Sequence, residues 1–103
     1  MTERRAHLRG HSQGEDESIV YTVTTTEWGS APTGVVVTAY EVVGHDKTDV
    51  SATVLTGASA VAGDVITLPA LASLTAGEMY RVEVQFDTGG NTFECYFYVT
   101  GEQ

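Results

Sequence analysis

The chain has 103 residues, 42% of them hydrophobic, a formal net charge of −9 and one cysteine. That is enough chain for a single domain, burying roughly two-thirds of the surface its unfolded form exposes, and the lone Cys95 excludes an intrachain disulfide or a CxxC-type zinc site. The acidic balance argues against unspecific attachment to nucleic acid or anionic lipid; the start lacks a secretory apolar stretch, and no apolar run is long enough to span a bilayer.

The charge is split along the chain. Residues 1–14 carry Arg4, Arg5 and Arg9 against Glu3, a net +2, while residues 15–103 carry Lys47 and Arg81 against thirteen acids, a net −11. Residues 1–17 are too polar to offset the entropy of ordering on their own, and read as an extended basic N-terminal arm. Such an arm is held either by its own acidic body or by a neighbouring molecule, and the reach of its seventeen residues favours the neighbour. Arg4, Arg5, His7, Leu8 and Arg9 are its candidate partner-binding residues. Contact with nucleic acid is the weaker reading, because three arginines beside an acidic domain are poor bait at physiological salt. His7 and His11, spaced i, i+4, would share a helical face for a metal, but a third ligand is missing and Gly10 weakens a helix.

Residues 18–103 break into pieces of strand length. "SIVYTVTTTEW" alternates Ile19, Tyr21 and Val23 with Val20, Thr22 and Thr24, and ends in the turn cluster Gly29–Gly34. Val35–Val43 is apolar on both faces, as in a strand central to a sheet. Gly44–Asp49 reads as a polar turn, "VSATVLTG" as a strand, "ASAVAG" as a small-residue connection, and "DVITLPAL" as a short strand stopped by Pro69. From Tyr80 the alternation is strict: Tyr80, Val82, Val84 and Phe86 on one face, Arg81, Glu83 and Gln85 on the other. Asp87–Thr92 is a hairpin turn with two glycines. The returning strand turns Phe93, Cys95, Phe97 and Val99 inward, with Cys95 a small apolar group, and Glu94, Tyr96 and Tyr98 outward.

Strands recurring at about ten-residue spacing with no helical period predict an all-β, two-sheet sandwich. "LTAGEMY" supplies its corner. Leu74 plugs the core edge, Gly77 makes the tight turn, and Tyr80 opens the next strand with its hydroxyl bonded back to upstream backbone, the tyrosine corner of immunoglobulin-like folds. The alternative makes Tyr80 only a core aromatic.

No catalytic residue is expected. His45 lies in a polar loop without a GxSxG elbow, a paired-carboxylate mechanism would need a cleft that a small sandwich rarely encloses, and no glycine-rich loop enters a helix to hold phosphate. Asp46, Asp49 and Asp64 lack the pattern of a calcium loop; no metal or other cofactor is expected. Outward Tyr96 and Tyr98, near Val36 and Tyr40 if those strands are neighbours, either form an exposed aromatic patch suited to a protein interface or are covered by a second sheet or the arm.

The blocks "TVTTTEWGSAPTGVVVTAYEV" and "DVSATVLTGASAVAGDVITLPALASLTAGEMYRVEVQFDTGGNTFECYFYV" resemble the small immunoglobulin-like β-sandwich proteins among the virion genes of tailed bacteriophages and prophages. The likeness covers about residues 18–102 and leaves the arm outside. It implies an immunoglobulin-like (fibronectin III-like) fold in a non-enzymatic virion component, assembled in the bacterial cytoplasm in many copies against neck, tail, fibre or capsid proteins. A neck or tail adaptor, tied to neighbouring subunits by its arm, is the expectation. The alternatives are a capsid decoration protein and a module recognising a host surface such as carbohydrate, for which Trp28 is the candidate loop aromatic.

Overall fold

Tyr80, Val82, Val84 and Phe86 are each at most 1% exposed, so the alternating run that holds them has one face wholly inside. The computed structural model describes residues 2–5 and 11–103 and places this run at the centre of the larger sheet. In chain order the elements are β1 (Thr2–Arg5), β2 (His11–Gly14), β3 (Thr22–Thr24), β4 (Thr33–Val43), β5 (Asp46–Asp49), the single helical turn α1 (Ser51–Val54), β6 (Leu55–Thr56), β7 (Ala60–Ala62), β8 (Val65–Thr67), β9 (Ala70–Leu71), β10 (Met79–Thr88) and β11 (Asn91–Glu102).

In the larger sheet β10 lies between β4 and β11, antiparallel to both, and β5 continues the sheet beyond β4. On the other side, β1 and β2 lie one after the other along β11, both parallel to it. A smaller sheet runs β3-β8-β7, and the pair β6-β9 is extended by a bridge from Ile19 to Leu71. Ala39, Val82, Val84, Phe86, Cys95, Phe97 and Val99 of the larger sheet join Val23, Val54, Ile66, Leu68, Leu71 and Leu74 in one buried cluster. Each large apolar side chain so buried contributes about 1.5–3 kcal/mol relative to exposure. The result is all-β and sandwich-like.

Several local expectations change. Asp46–Asp49, expected as a turn, pairs with β4 as an edge strand exposed at every residue, because Gly44 at φ 60° lets the chain reverse through Gly44 and His45 alone. In "VSATVLTG" the strand is cut to Leu55–Thr56. Ser51 instead turns back on β4, its hydroxyl accepting the Ala39 N–H at 2.9 Å while the Val50 N–H donates to the Ala39 carbonyl. Ala60–Ala62, expected as a connection, forms the outer strand of the smaller sheet. The β10–β11 hairpin closes over Gly89 and Gly90, both at positive φ, so both strands run further than their side-chain pattern indicates.

The corner before β10 is tied in three places. The Thr75 N–H donates to the Tyr80 hydroxyl at 2.8 Å; Gly77, at φ 87°, donates its N–H to the Gly101 carbonyl, and the Gly101 N–H donates to Glu78. Leu74 is buried beneath it. Gly101 is fixed by space, since a Cβ there would collide with the Thr75 carbonyl.

The beginning of the chain joins this architecture. Residues 2–5 and 11–14 hydrogen-bond to β11 of their own chain. These parts of the arm are held by the body and not, as the arm's reach suggests, by a neighbour, because their backbone completes the open edge of β11. Beyond them the Glu15 N–H donates to the Glu102 carbonyl at 2.6 Å. Gln13 is 0% exposed. Its Nε2 donates to the carbonyls of Leu71 and Glu17 at 2.6 and 2.9 Å, and its Oε1 accepts from the Tyr21 hydroxyl at 3.1 Å. A polar residue of the arm is thus built into the body.

Candidate interaction surface

The pleat that sends Tyr80, Val82, Val84 and Phe86 into the core sends Arg81 and Glu83 to the opposite face. Register then brings two rows together. Arg81 stands between Tyr98 and Tyr40, and Glu83 stands between Tyr96 and Thr38. β11 and β4 are therefore not neighbours, and the aromatic residues on them are separated by the charged residues of β10.

Those charges knit the face together. The Arg81 guanidinium carbon lies 3.8 Å from the centre of the Tyr96 ring and 6.0 Å from that of Tyr98, and Nη1 reaches the Tyr98 hydroxyl at 3.3 Å. The two tyrosine rings meet edge to face with centroids 5.7 Å apart. Arg81 Nε donates to Glu83 Oε2 at 2.7 Å, and Lys47 Nζ on β5 donates to the same oxygen at 2.8 Å while sitting 4.4 Å over the Tyr40 ring. One carboxylate oxygen thus fixes two cations, and each cation lies over an aromatic ring. The hydrogen bond to Glu83 is the main reason the Lys47 ammonium holds its proton above the ordinary lysine range.

This arrangement explains why Tyr96 and Tyr98 are half-buried although they point away from the core. Arg81 covers part of them. Around the charged cluster the face keeps apolar surface: Val36 is 53% exposed and Met79 44%.

The other sequence candidates are dispersed. Arg4 and Arg5 lie in β1, in register with Cys95 and Tyr96; His7, Leu8 and Arg9 lie outside the described residues. Asp46 and Asp49 sit on β5. The Asp49 carboxylate accepts the Ser51 N–H, which lowers its pKa below the ordinary aspartate value. Asp64 lies in the turn between β7 and β8 of the smaller sheet, accepting from the Thr26 hydroxyl at 3.0 Å and the Ala31 N–H at 3.4 Å. Among the described residues no group of three His, Cys, Asp or Glu side chains is placed to hold a metal ion, and no helix is long and apolar enough to cross a membrane. Trp28 packs its ring on Phe86, with centroids 5.7 Å apart. Gln13 escaped the sequence reading, because a lone glutamine in a polar arm carries no periodic signal.

No protein-family model and no curated protein sequence matches the chain.

Proposed function

We propose that this chain is a non-enzymatic structural and assembly protein of a tailed-phage virion. In this reading an immunoglobulin-like (fibronectin III-like) sandwich serves as a neck or tail adaptor, present in many copies, and docks on neighbouring subunits through its arm and its outer face. The observation that carries the proposal is the Arg81–Tyr96–Tyr98–Glu83–Lys47 cluster on that face. Tyrosine and arginine are enriched where proteins meet. Here their side chains are already held in place, so less entropy is lost when a partner arrives. Val36 and Met79 add apolar contact beside them.

Strand order supports the immunoglobulin-like assignment. The chain-terminal strand β11 pairs with β10 and β10 with β4, the smaller sheet runs β3-β8-β7, and the N-terminal strands lie parallel on β11. The Tyr80 hydroxyl bonded to backbone at the sheet-to-sheet corner belongs with that order. Trp28 weighs against the carbohydrate alternative, since its ring is engaged with Phe86.

Gold labelling and peptide mass spectrometry of purified particles, induced from the genome that encodes the chain, test the assignment. Label at the neck or tail is the expected result. Label over the whole shell would select the decoration alternative, and particles free of the chain would refute the virion role.

A further inference from the structure

The arm has two halves held in different ways. From Gln13 onward it is riveted to the body by the buried glutamine amide, by the Glu15–Glu102 hydrogen bond and by the Ile19–Leu71 bridge. β1 is held by a four-residue ladder along one edge of β11, Thr2 against Phe93 through Arg5 against Tyr96.

The registers of the two halves are offset. Arg5 stands against Tyr96 and His11 against Val99, so five residues of the arm correspond to two residues of β11. With that surplus, the register of β2 does not dictate where β1 must pair. Fully extended, the chain from Arg5 to His11 spans at most about 20 Å, which sets how near the acceptor edge of a second copy must stand.

We infer that β1 is an exchangeable strand, which in an assembly pairs with β11 of a second copy of this chain. The inference rests on the reading above, in which many copies stand side by side. The backbone bonds made in exchange are those made within one chain, so exchange forfeits none of them and the outcome is set by local concentration. Charge also favours a second copy. The acidic bodies, at −11 for residues 15–103, repel one another, and residues 1–14, at +2, carry the opposite sign. Because the donor and acceptor surfaces differ, exchange closes as a reciprocal dimer between two copies or passes from copy to copy around a ring or along a filament.

Single-cysteine additions at registered positions test this. Glu3→Cys and Glu94→Cys on separate, mass-distinguishable full-length chains, mixed at roughly millimolar concentration, are treated with a short bis-maleimide. Cys95 stays in place as a wholly buried thiol, and the unaltered chain is the blank. The expected product is a covalent dimer of the two different chains, formed at least tenfold faster than one between Glu3→Cys and Val61→Cys, an exposed position on the smaller sheet. A third chain carrying both substitutions reports pairing within one molecule. Crosslinks confined to that third chain, or absent from every sample, overturn the exchange. A mixed dimer from a chain absent from particles would sink the virion role and leave the exchange standing; a virion chain that crosslinks only within itself would do the reverse.

Discussion

The backbone N–H of Thr75 donates to the hydroxyl of Tyr80 at 2.8 Å, across the turn that delivers the chain from β9 into β10. Tyr80 is 1% exposed, so its hydroxyl meets protein at the end of a ring sunk in the core. Removing the oxygen leaves the Thr75 N–H without that acceptor while the apolar packing of the ring survives. Tyr80→Phe is expected to lower stability by about 1–2 kcal/mol, read as a shift in the urea midpoint at unchanged slope. An unshifted midpoint would mean that the bond contributes nothing to the corner.

The long strands were legible in the sequence because their side chains obey the pleat. Tyr80 to Phe86 and Phe93 to Val99 put apolar residues on every second position, and those positions are the buried or half-buried ones on the inner face. β1, β2 and β5 could not be seen that way. "TERR", "HSQG" and "DKTD" join a sheet through backbone hydrogen bonds, which leave no pattern in residue type. The interaction face was half legible: parity alone turns Tyr96 and Tyr98 outward, but their cover by Arg81 depends on β10 lying beside β11. That pairing is a long-range fact.

Gln13 makes the clearest case of a residue whose weight exceeds its sequence signal. Its side chain satisfies the Leu71 and Glu17 carbonyls and receives the Tyr21 hydroxyl, all in a wholly buried position. Gln13→Ala removes these bonds and opens a void, an expected loss of about 2–3 kcal/mol. Hydrogen exchange localises the effect: the Glu15 amide, bonded to the Glu102 carbonyl, is expected to exchange at least tenfold faster relative to the Val84 amide in the central strand. Equal acceleration at both sites would mean that the glutamine supports the whole fold and not the attachment of the arm.

Glu83 links the two cations of the outer face, so its charge is testable through Lys47. The hydrogen bond from Lys47 to Glu83 is the largest cause of the raised lysine pKa. With Glu83→Gln the Lys47 titration is expected to move down toward the ordinary lysine value, followed by NMR of the Lys47 side chain. The sign for stability follows. A cation whose folded pKa is raised contributes its share below the unfolded value and loses it as pH climbs through the folded one. The mutant is therefore expected to differ less from the parent once the pH is high enough to deprotonate the folded Lys47 than it does at pH 7. Since Lys47 is about half exposed, the stability difference at pH 7 stays within about 1 kcal/mol. An unmoved Lys47 titration would show that the ion pair is not maintained in solution.

Cys95 makes the fold sensitive to alkaline pH. Burial, assisted by the Glu94 charge, pushes its thiol from the ordinary 9.0 up to about 12. In the unfolded chain the thiol loses its proton above pH 9, whereas the buried thiol keeps it until about pH 12. Within that window the unfolded state binds fewer protons, so stability is fully present below pH 9 and falls as pH rises, by at most about 1.4 kcal/mol per unit. Cys95→Ala removes the group. Its unfolding free energy starts lower, because the pocket is left underfilled, and then declines less steeply than the parent's between pH 9 and 10.5. The same burial makes the thiol inert to a disulfide reagent at pH 8 except through opening of the structure, so labelling should follow the urea unfolding curve. Parallel pH curves for the two proteins, or rapid labelling of the native chain, would place the sulfur in contact with water and remove the basis for the prediction.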